Sequence, residues 1–350
     1  MHVRIKNWRC IKEIKFDLSK INIFLGRNAT GKSSLAYALY FFSKSARLGI
    51  DETIKLLYNN ITKIIRIEND DLCYPASVCI DDYCIELKPK LEDKYSDLGE
   101  TRLKVLLREL ESEEIEKMKK SPKWTEEYLL PSIRLACLQT LSIIQREVIK
   151  SKHIHKLAIE INEKIKELPL PNQGLVFLFD LDRAISKGKL SISSKMGYIM
   201  KVELLLPYLT LEIIDPYTDL ELPFEDSPDG LADQALIGLI LDRASKNSLI
   251  VIEEPEIYKN PVFQFEIMEK ISEIAIRKNL TIVMTTHSEI IPLSIAKLVE
   301  VGKVTPSDVR IYYLMRSREE PWTKIKKIDV YEDGTLEELP DSEKITALLF

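Results

Sequence analysis

Residues Ile21 to Tyr40 read INIFLGRNATGKSSLAYALY, and the run divides into a strand, a glycine-bounded loop and a helix. Ile21, Ile23, Phe24 and Leu25 form the short apolar run that a buried strand needs, and Gly26 ends it where a tight turn is required. The eight residues Gly26, Arg27, Asn28, Ala29, Thr30, Gly31, Lys32 and Ser33, with Ser34 next, fit the pattern G-x-x-x-x-G-K-[ST]. Glycine at 26 and 31 lets the backbone curl so that successive N–H groups point into one concavity. The positive end of the following helix adds to that anion nest. Phosphate is the natural guest: Lys32 reaches the β- and γ-phosphates as a point charge, and the Ser33 hydroxyl ligates a bridging magnesium ion. Leu35, Ala38, Leu39 and Phe42 share one helical face, which gives the helix an apolar side to pack on a sheet. Eight loosely specified positions match by chance in long chains; the flanking strand and helix make this match specific.

Composition restricts the rest. A chain of 350 residues with 45% hydrophobic residues can bury a large core. Its 50 basic and 55 acidic residues leave a net charge of -5, which argues against a broadly basic nucleic-acid binder. The five cysteines, at 10, 73, 79, 84 and 137, are odd in number and form no C-x-x-C pair. A reduced cytosolic compartment is therefore expected, with Cys79 and Cys84 as buried free thiols although they could face each other across Asp81-Asp82. No apolar run has membrane-spanning length.

In chain order, VRIKNWRC and IKEIKFDLS alternate apolar positions as a strand pair does, and are expected as an antiparallel edge of the nucleotide-binding sheet. Asp51 to Tyr58 reads helical, and Lys63 to Lys88 as three short strands of a small antiparallel β-subdomain. Between Leu91 and Met200 the periodicity becomes helical, as in Leu103, Leu106, Leu107 and Leu110, or Ile154, Ala158, Ile161, Ile165 and Leu168. That insert is too short for two long antiparallel coiled-coil arms, since a helical residue advances only about 1.5 Å. Within it, residues 127–131 read as a short strand returning to the sheet, with Ser132 and Arg134 just past its end, whereas His153 and His155 lack the companions of a metal site. The expected division is thus an N-terminal lobe over 1–90, a helical insertion over 91–200 and a C-terminal lobe over 201–350.

The C-terminal part carries the second and third chemical clusters. Ser248 to Ile252 is a buried-strand run ending in Glu253-Glu254-Pro255-Glu256. Acids at a strand's C-terminal end sit where open α/β sheets bind ligands. Glu253 there can hold magnesium through water, while Glu254 accepts a proton from an attacking water. Thr281 to Thr285 is a third strand, ending in Thr286-His287-Ser288. A histidine at that edge can hydrogen-bond a γ-phosphate.

With these elements placed, the sequence resembles the ABC-type ATPase heads of the SMC and RecF-like group, and especially the stand-alone prokaryotic AAA_15/AAA_21 proteins. The resemblance rests on IKNWRCIKEIKFDLSKINIFLGRNATGKSSLAYAL, YLLPSIR, LPFEDSPDGLADQALIGLIL, EEPEIYKNP, TTHS and the tail DVRIYYLMRSREEPWTKIKKIDVYEDGTLEELP. OLD-type relatives carry a TOPRIM domain after this tail, and the resemblance expected here is to heads without one. The resemblance implies an α/β P-loop NTPase with a mixed central sheet, an antiparallel β-subdomain and an inserted helical region. It also implies ATP and Mg2+ as ligands and a homodimer formed on ATP binding, in which the signature segment of one head meets the γ-phosphate held by the other. The signature here would be Ser227-Pro228-Asp229-Gly230, with Gly230 at the nucleotide; Pro228 departs from the family's Ser-x-Gly. Gln139 would be the glutamine-loop residue near the metal, and Arg9 would approach the base. Such heads often act in DNA repair or defence beside a separate effector, which is a family-level analogy. Two readings follow: a magnesium-dependent ATPase using Lys32, Glu254 and His287, or a slowly hydrolysing, nucleotide-gated module that controls an effector such as a nuclease or toxin. A transporter ATPase is disfavoured by the insert and the weak signature, and a P-loop kinase leaves TTHS and the tail unexplained.

Overall fold

The computed structural model describes residues 1–69, 71–87, 124–140, 171–187, 191–193, 199–205, 208–214 and 218–340. Helical periodicities expected over 91–123 and 141–170, with His153 and His155, lie outside the described residues.

Strand β3 (Ile21–Gly26) is buried at every position, as a strand covered on both faces must be. It lies in the middle of a six-stranded sheet of order β16-β15-β3-β14-β13-β8. The members are β8 (Glu127–Leu130), β13 (Leu249–Glu253), β14 (Thr281–Thr286), β15 (Val309–Met315) and the edge strand β16 (Lys324–Ile328). All pairings are parallel except β15 with β16. Register brings the chemistry to one edge: Thr285 stands opposite both Glu253 and Phe24, and Thr286 opposite Leu25. The ends of β3, β13 and β14, and hence the phosphate loop, the acid pair and His287, therefore share the C-terminal edge of the sheet.

Period-two alternation splits the core. Ile21, Ile23 and Leu25 point into one apolar cluster, and Phe24 into the other. The first cluster is closed by α3 (Asn172–Ile185), α4 (Asp229–Arg243), α5 (Pro261–Lys278) and α6 (Ile290–Glu300). The second is closed by α1 (Lys32–Leu48), α2 (Ile50–Tyr58) and a separate antiparallel sheet of order β2-β1-β6-β7. That sheet comprises β1 (His2–Trp8), β2 (Ile11–Asp17), β6 (Ala76–Ile80) and β7 (Tyr83–Leu87). A two-residue-per-strand hairpin, β4 (Ile67–Glu68) with β5 (Asp71–Leu72), comes between β2 and β6 in the chain. Four strands, β9 (Ser191–Ser193), β10 (Ile199–Leu205), β11 (Tyr208–Ile214) and β12 (Glu221–Pro223), form a third antiparallel sheet.

Two expectations are corrected here. β1 and β2 do not edge the central sheet; β1 pairs with β6, Val3 opposite Ile80 and Ile5 opposite Val78. Their apolar face covers α1 instead, with Trp8 against Phe41 at 5.1 Å between ring centroids. This gives the helix the second apolar layer it needs on the side away from β3. Cys79 and Cys84 are not buried free thiols. The Asp81-Asp82 turn sets them directly opposite in the β6–β7 register, Cys84 is exposed, and the two are disulfide-bonded. Among the described residues no helix is long and apolar enough to cross a membrane.

Candidate nucleotide-binding site

The loop after β3 takes its shape from two glycines. Gly26 has φ 149°, and a Cβ there would lie 2.4 Å from the Leu314 carbonyl oxygen; Gly31 has φ 101°, and a Cβ there would lie 2.5 Å from Thr323 Oγ1. No other residue fits either place without displacing backbone or side chain. The loop is braced from the tail: the Thr323 hydroxyl donates to Thr30 O at 2.9 Å, and Arg316 Nη1 to Ala29 O at 2.8 Å. At the start of α1 there is neither a side-chain cap nor an acidic residue in the first turn, so its N–H groups face the cavity as anion donors.

That cavity, about 470 Å³, is lined by Arg9, Cys10, residues 28–34, Glu254, Thr285, His287 and Arg316. Lys32 is nearly buried and donates to Gly26 O at 2.7 Å and Arg27 O at 2.8 Å; its Nζ lies 3.3 Å from His287 Nδ1. Burial pulls the Lys32 pKa down to about 8, against the opposing pull of Glu254, Glu256 and Glu253. Burial, then the Lys32 charge, lowers the His287 pKa as well. A neutral imidazole that accepts from Lys32 at Nδ1 carries its proton on Nε2, the nitrogen 3.8 Å from Glu254 Oε1. Burial first, then Glu256 and Glu253, raises the Glu254 pKa, the direction that makes a carboxylate a better base. Glu254 has φ 47°, and its N–H donates to Thr285 O at 2.8 Å. The kink turns its side chain out of the strand and into the cavity.

Glu253 lies behind this lining and is 6% exposed. Its Oε2 accepts from the Tyr37 hydroxyl at 2.5 Å and from Ser132 N–H at 3.3 Å. Burial and Glu253 itself hold the Tyr37 phenol well above its ordinary pKa, so Tyr37 is the donor. Glu256 accepts at Oε1 from Thr286 Oγ1 at 2.7 Å and His287 N–H at 2.9 Å, fixing the histidine's turn. Its buried Oε2 has no partner among the described residues.

Of the other expected residues, Ser33 is exposed at the helix start and Ser34 is buried. Arg9, at φ 51°, donates its N–H to Ile64 O at 2.6 Å and reaches the cavity lining. Arg27 lines a neighbouring cavity. Gln139 is exposed on the helical stretch 134–140 and is not part of the lining. Gly230 is the second residue of α4, packed so that a Cβ would lie 2.6 Å from Tyr258 O. Sequence reasoning missed Tyr37, Glu256, Asp233 and Arg316. Asp233 alone left a signal, as an acid inside the apolar helical run LADQALIGLIL.

Among the described residues no three His, Cys, Asp or Glu side chains are grouped to hold a metal. The donor set instead fits magnesium, which keeps several waters and is bound through one or two protein oxygens plus substrate phosphates. Ser33 Oγ and Glu253 could supply those oxygens.

The order of the sheet and its three loaded strand ends define a P-loop NTPase with an ABC-type ATPase head. Residues 1–173 match the AAA_15 family, an AAA ATPase domain. The chain is 41% identical over 56 residues to the DNA replication and repair protein RecF of Streptococcus pneumoniae, a stretch that covers 15% of this chain and 15% of the relative. The fold is similar to the SmcHead bound to the C-winged helix domain of ScpA, with TM-score 0.55 and 13% identity over 95% of this chain and 98% of that one. It is also similar to the Pyrococcus furiosus Smc head domain with an extended coiled coil bound to the C-terminal domain of ScpA, with TM-score 0.51 and 15% identity over 99% and 98%. In its fold, and in the sequence of its first half, the chain is similar to the SMC/RecF-like group of ABC-type ATPase heads.

Proposed function

We propose that the protein is a magnesium-dependent ATPase whose ATP-bound heads dimerise and whose hydrolysis releases the dimer. The observation that carries this reading is the convergence of Lys32, Glu254 and His287 on one cavity at the start of α1. Lys32 and the loop N–H groups bind the β- and γ-phosphates and stabilise the charge that develops on the transferred phosphoryl group. Ser33, and Glu253 through water, hold the magnesium ion, which neutralises phosphate charge when bound. Glu254 accepts the proton of the attacking water. His287 donates from Nε2 to the γ-phosphate and loses that bond when the phosphate leaves. A separate effector protein and a role in DNA repair or defence belong to the same proposal by likeness to the group; the net charge of -5 gives DNA contact no support.

A second reading, a slowly hydrolysing nucleotide-gated regulator, is favoured by one observation. The Ser227 hydroxyl is buried and donates to Pro223 O at 3.0 Å, so its proton is already engaged within its own chain. Light scattering of wild type and Glu254→Gln, with and without ATP and magnesium, separates the readings when phosphate release is followed in parallel. A stable Glu254→Gln dimer beside a turning-over wild type supports the ATPase. Nucleotide binding without dimer or phosphate release supports the regulator.

A further inference from the structure

Arg134 is fully buried, and each of its five N–H donors is used. Nη1 donates to Pro131 O at 3.0 Å and Glu253 O at 2.7 Å; Nη2 donates to Glu254 O at 3.2 Å and Asp233 Oδ2 at 2.8 Å; Nε donates to Asp233 Oδ1. One planar guanidinium thus grips the carbonyls of both acids at the end of β13 and, through a two-pronged pair, the second turn of α4. Asp233, itself buried, also receives Lys259, whose Nζ donates to Ile257 O at 3.0 Å. The Lys259 carbonyl accepts from Gln264 Nε2 at 3.0 Å, and Gln264 Oε1 from the Ser288 hydroxyl at 2.6 Å, next to His287. At the other end of this chain of bonds, α4 presses Gly230 against Tyr258 O.

We infer that Arg134 is a positioning residue for Glu254: through Asp233 it makes the backbone that aims this carboxylate follow the N-terminal end of α4. Resting on the ATPase reading, this deepens it by naming what ties the water-activating acid to the helix that would face a second head. A contact there reaches Glu254 through two side chains, with no loop rearrangement. Lysine cannot replace the fork, because a compact ammonium with three donors cannot hold a carboxylate at two points and two carbonyls as well.

The test compares wild type, Arg134→Lys, Glu254→Gln, the double variant of these two, and the triple Arg134→Met/Asp233→Leu/Lys259→Met. The triple removes every charge of the cluster together, which keeps buried networks foldable where a single deletion does not. Thermal midpoint, ATP affinity and phosphate release are measured for each. Arg134→Lys and the triple are expected to hold ATP within about threefold of wild type and to release phosphate on the order of 10²-fold more slowly. The double variant is expected to be no slower than Glu254→Gln alone, since the inferred route from Arg134 to turnover ends at that carboxylate; a further loss would assign the effect to the Glu253 carbonyl it also holds. Turnover within about threefold of wild type in either Arg134 variant, additive losses in the double, or loss of the fold in both Arg134→Lys and the triple would overturn the inference. Failure of wild type itself to release phosphate while binding ATP brings down the ATPase reading, and the inference with it. Turnover by wild type and Arg134→Lys alike brings down the inference alone.

Discussion

Lys32 holds a charge where burial opposes it, and this has a measurable sign. With its pKa drawn down to about 8, the nucleotide-free protein carries the charge at pH 7 and loses it as pH rises past 8. Bound phosphates restore it. Calorimetry in two buffers of different ionisation enthalpy is therefore expected to find proton uptake on ATP binding near pH 9 and almost none at pH 7. Unfolded lysine keeps its proton to about pH 10, so the unfolded chain binds more protons between pH 8 and 10. The Lys32 contribution to stability rises with pH across that window. For the proposed base, Glu254→Gln is expected to slow phosphate release by at least about 10²-fold while ATP stays bound, read in single-turnover phosphate release. Tyr37→Phe takes from buried Glu253 a donor it uses at 2.5 Å, and is expected to cost about 1–3 kcal/mol in urea unfolding. That Lys32, Ser33, Glu254 and His287 line one cavity was legible because each lies just past a strand end, in a loop or at a helix start, within a pattern of chemical meaning. Tyr37 was not, because on a helix's apolar face a tyrosine reads as core until the acid opposite it is known.

At the scale of elements, local pattern located strands better than it located their neighbours. β1 and β2 alternate as a sheet edge should, yet period two does not say which sheet they join. The covering needed by α1 decides that, through contacts such as Trp8 with Phe41. Cys79 and Cys84 make the same point: composition argued for free thiols, whereas the hairpin register sets them face to face. The end of α4 offers a direct test. Gly230→Ala places a methyl 2.6 Å from Tyr258 O, so the helix start or the turn at Tyr258 must shift. A loss on the order of 1–3 kcal/mol is expected in urea unfolding, with the nucleotide affinity of the isolated head little changed.

At the scale of the molecule, the central sheet interleaves distant parts of the chain. Among the described residues, 1–173 contribute only β3 and β8 to that sheet, and these are not neighbours: β14 and β13 lie between them, and β15 covers the other side of β3. A fragment ending at 173 is expected to show no cooperative thermal transition by circular dichroism and no ATP binding, although it contains the whole phosphate loop. The fold class was legible despite this interleaving, because three loaded strand ends in one chain imply one sheet edge. The strand order was not, since it depends on pairings between residues far apart in sequence.

The placement of β3 also has a meaning in time. Its phosphate loop is synthesised long before the strand on its far side, β15, which ends only at Met315. At about 5–20 residues per second, the loop waits some tens of seconds on the ribosome before both neighbours exist. For most of that interval, until β14 is made, its apolar strand has neither of its neighbours to pair with. The emerging chain is therefore expected to complete its phosphate grip late, once β14 and β15 have flanked β3.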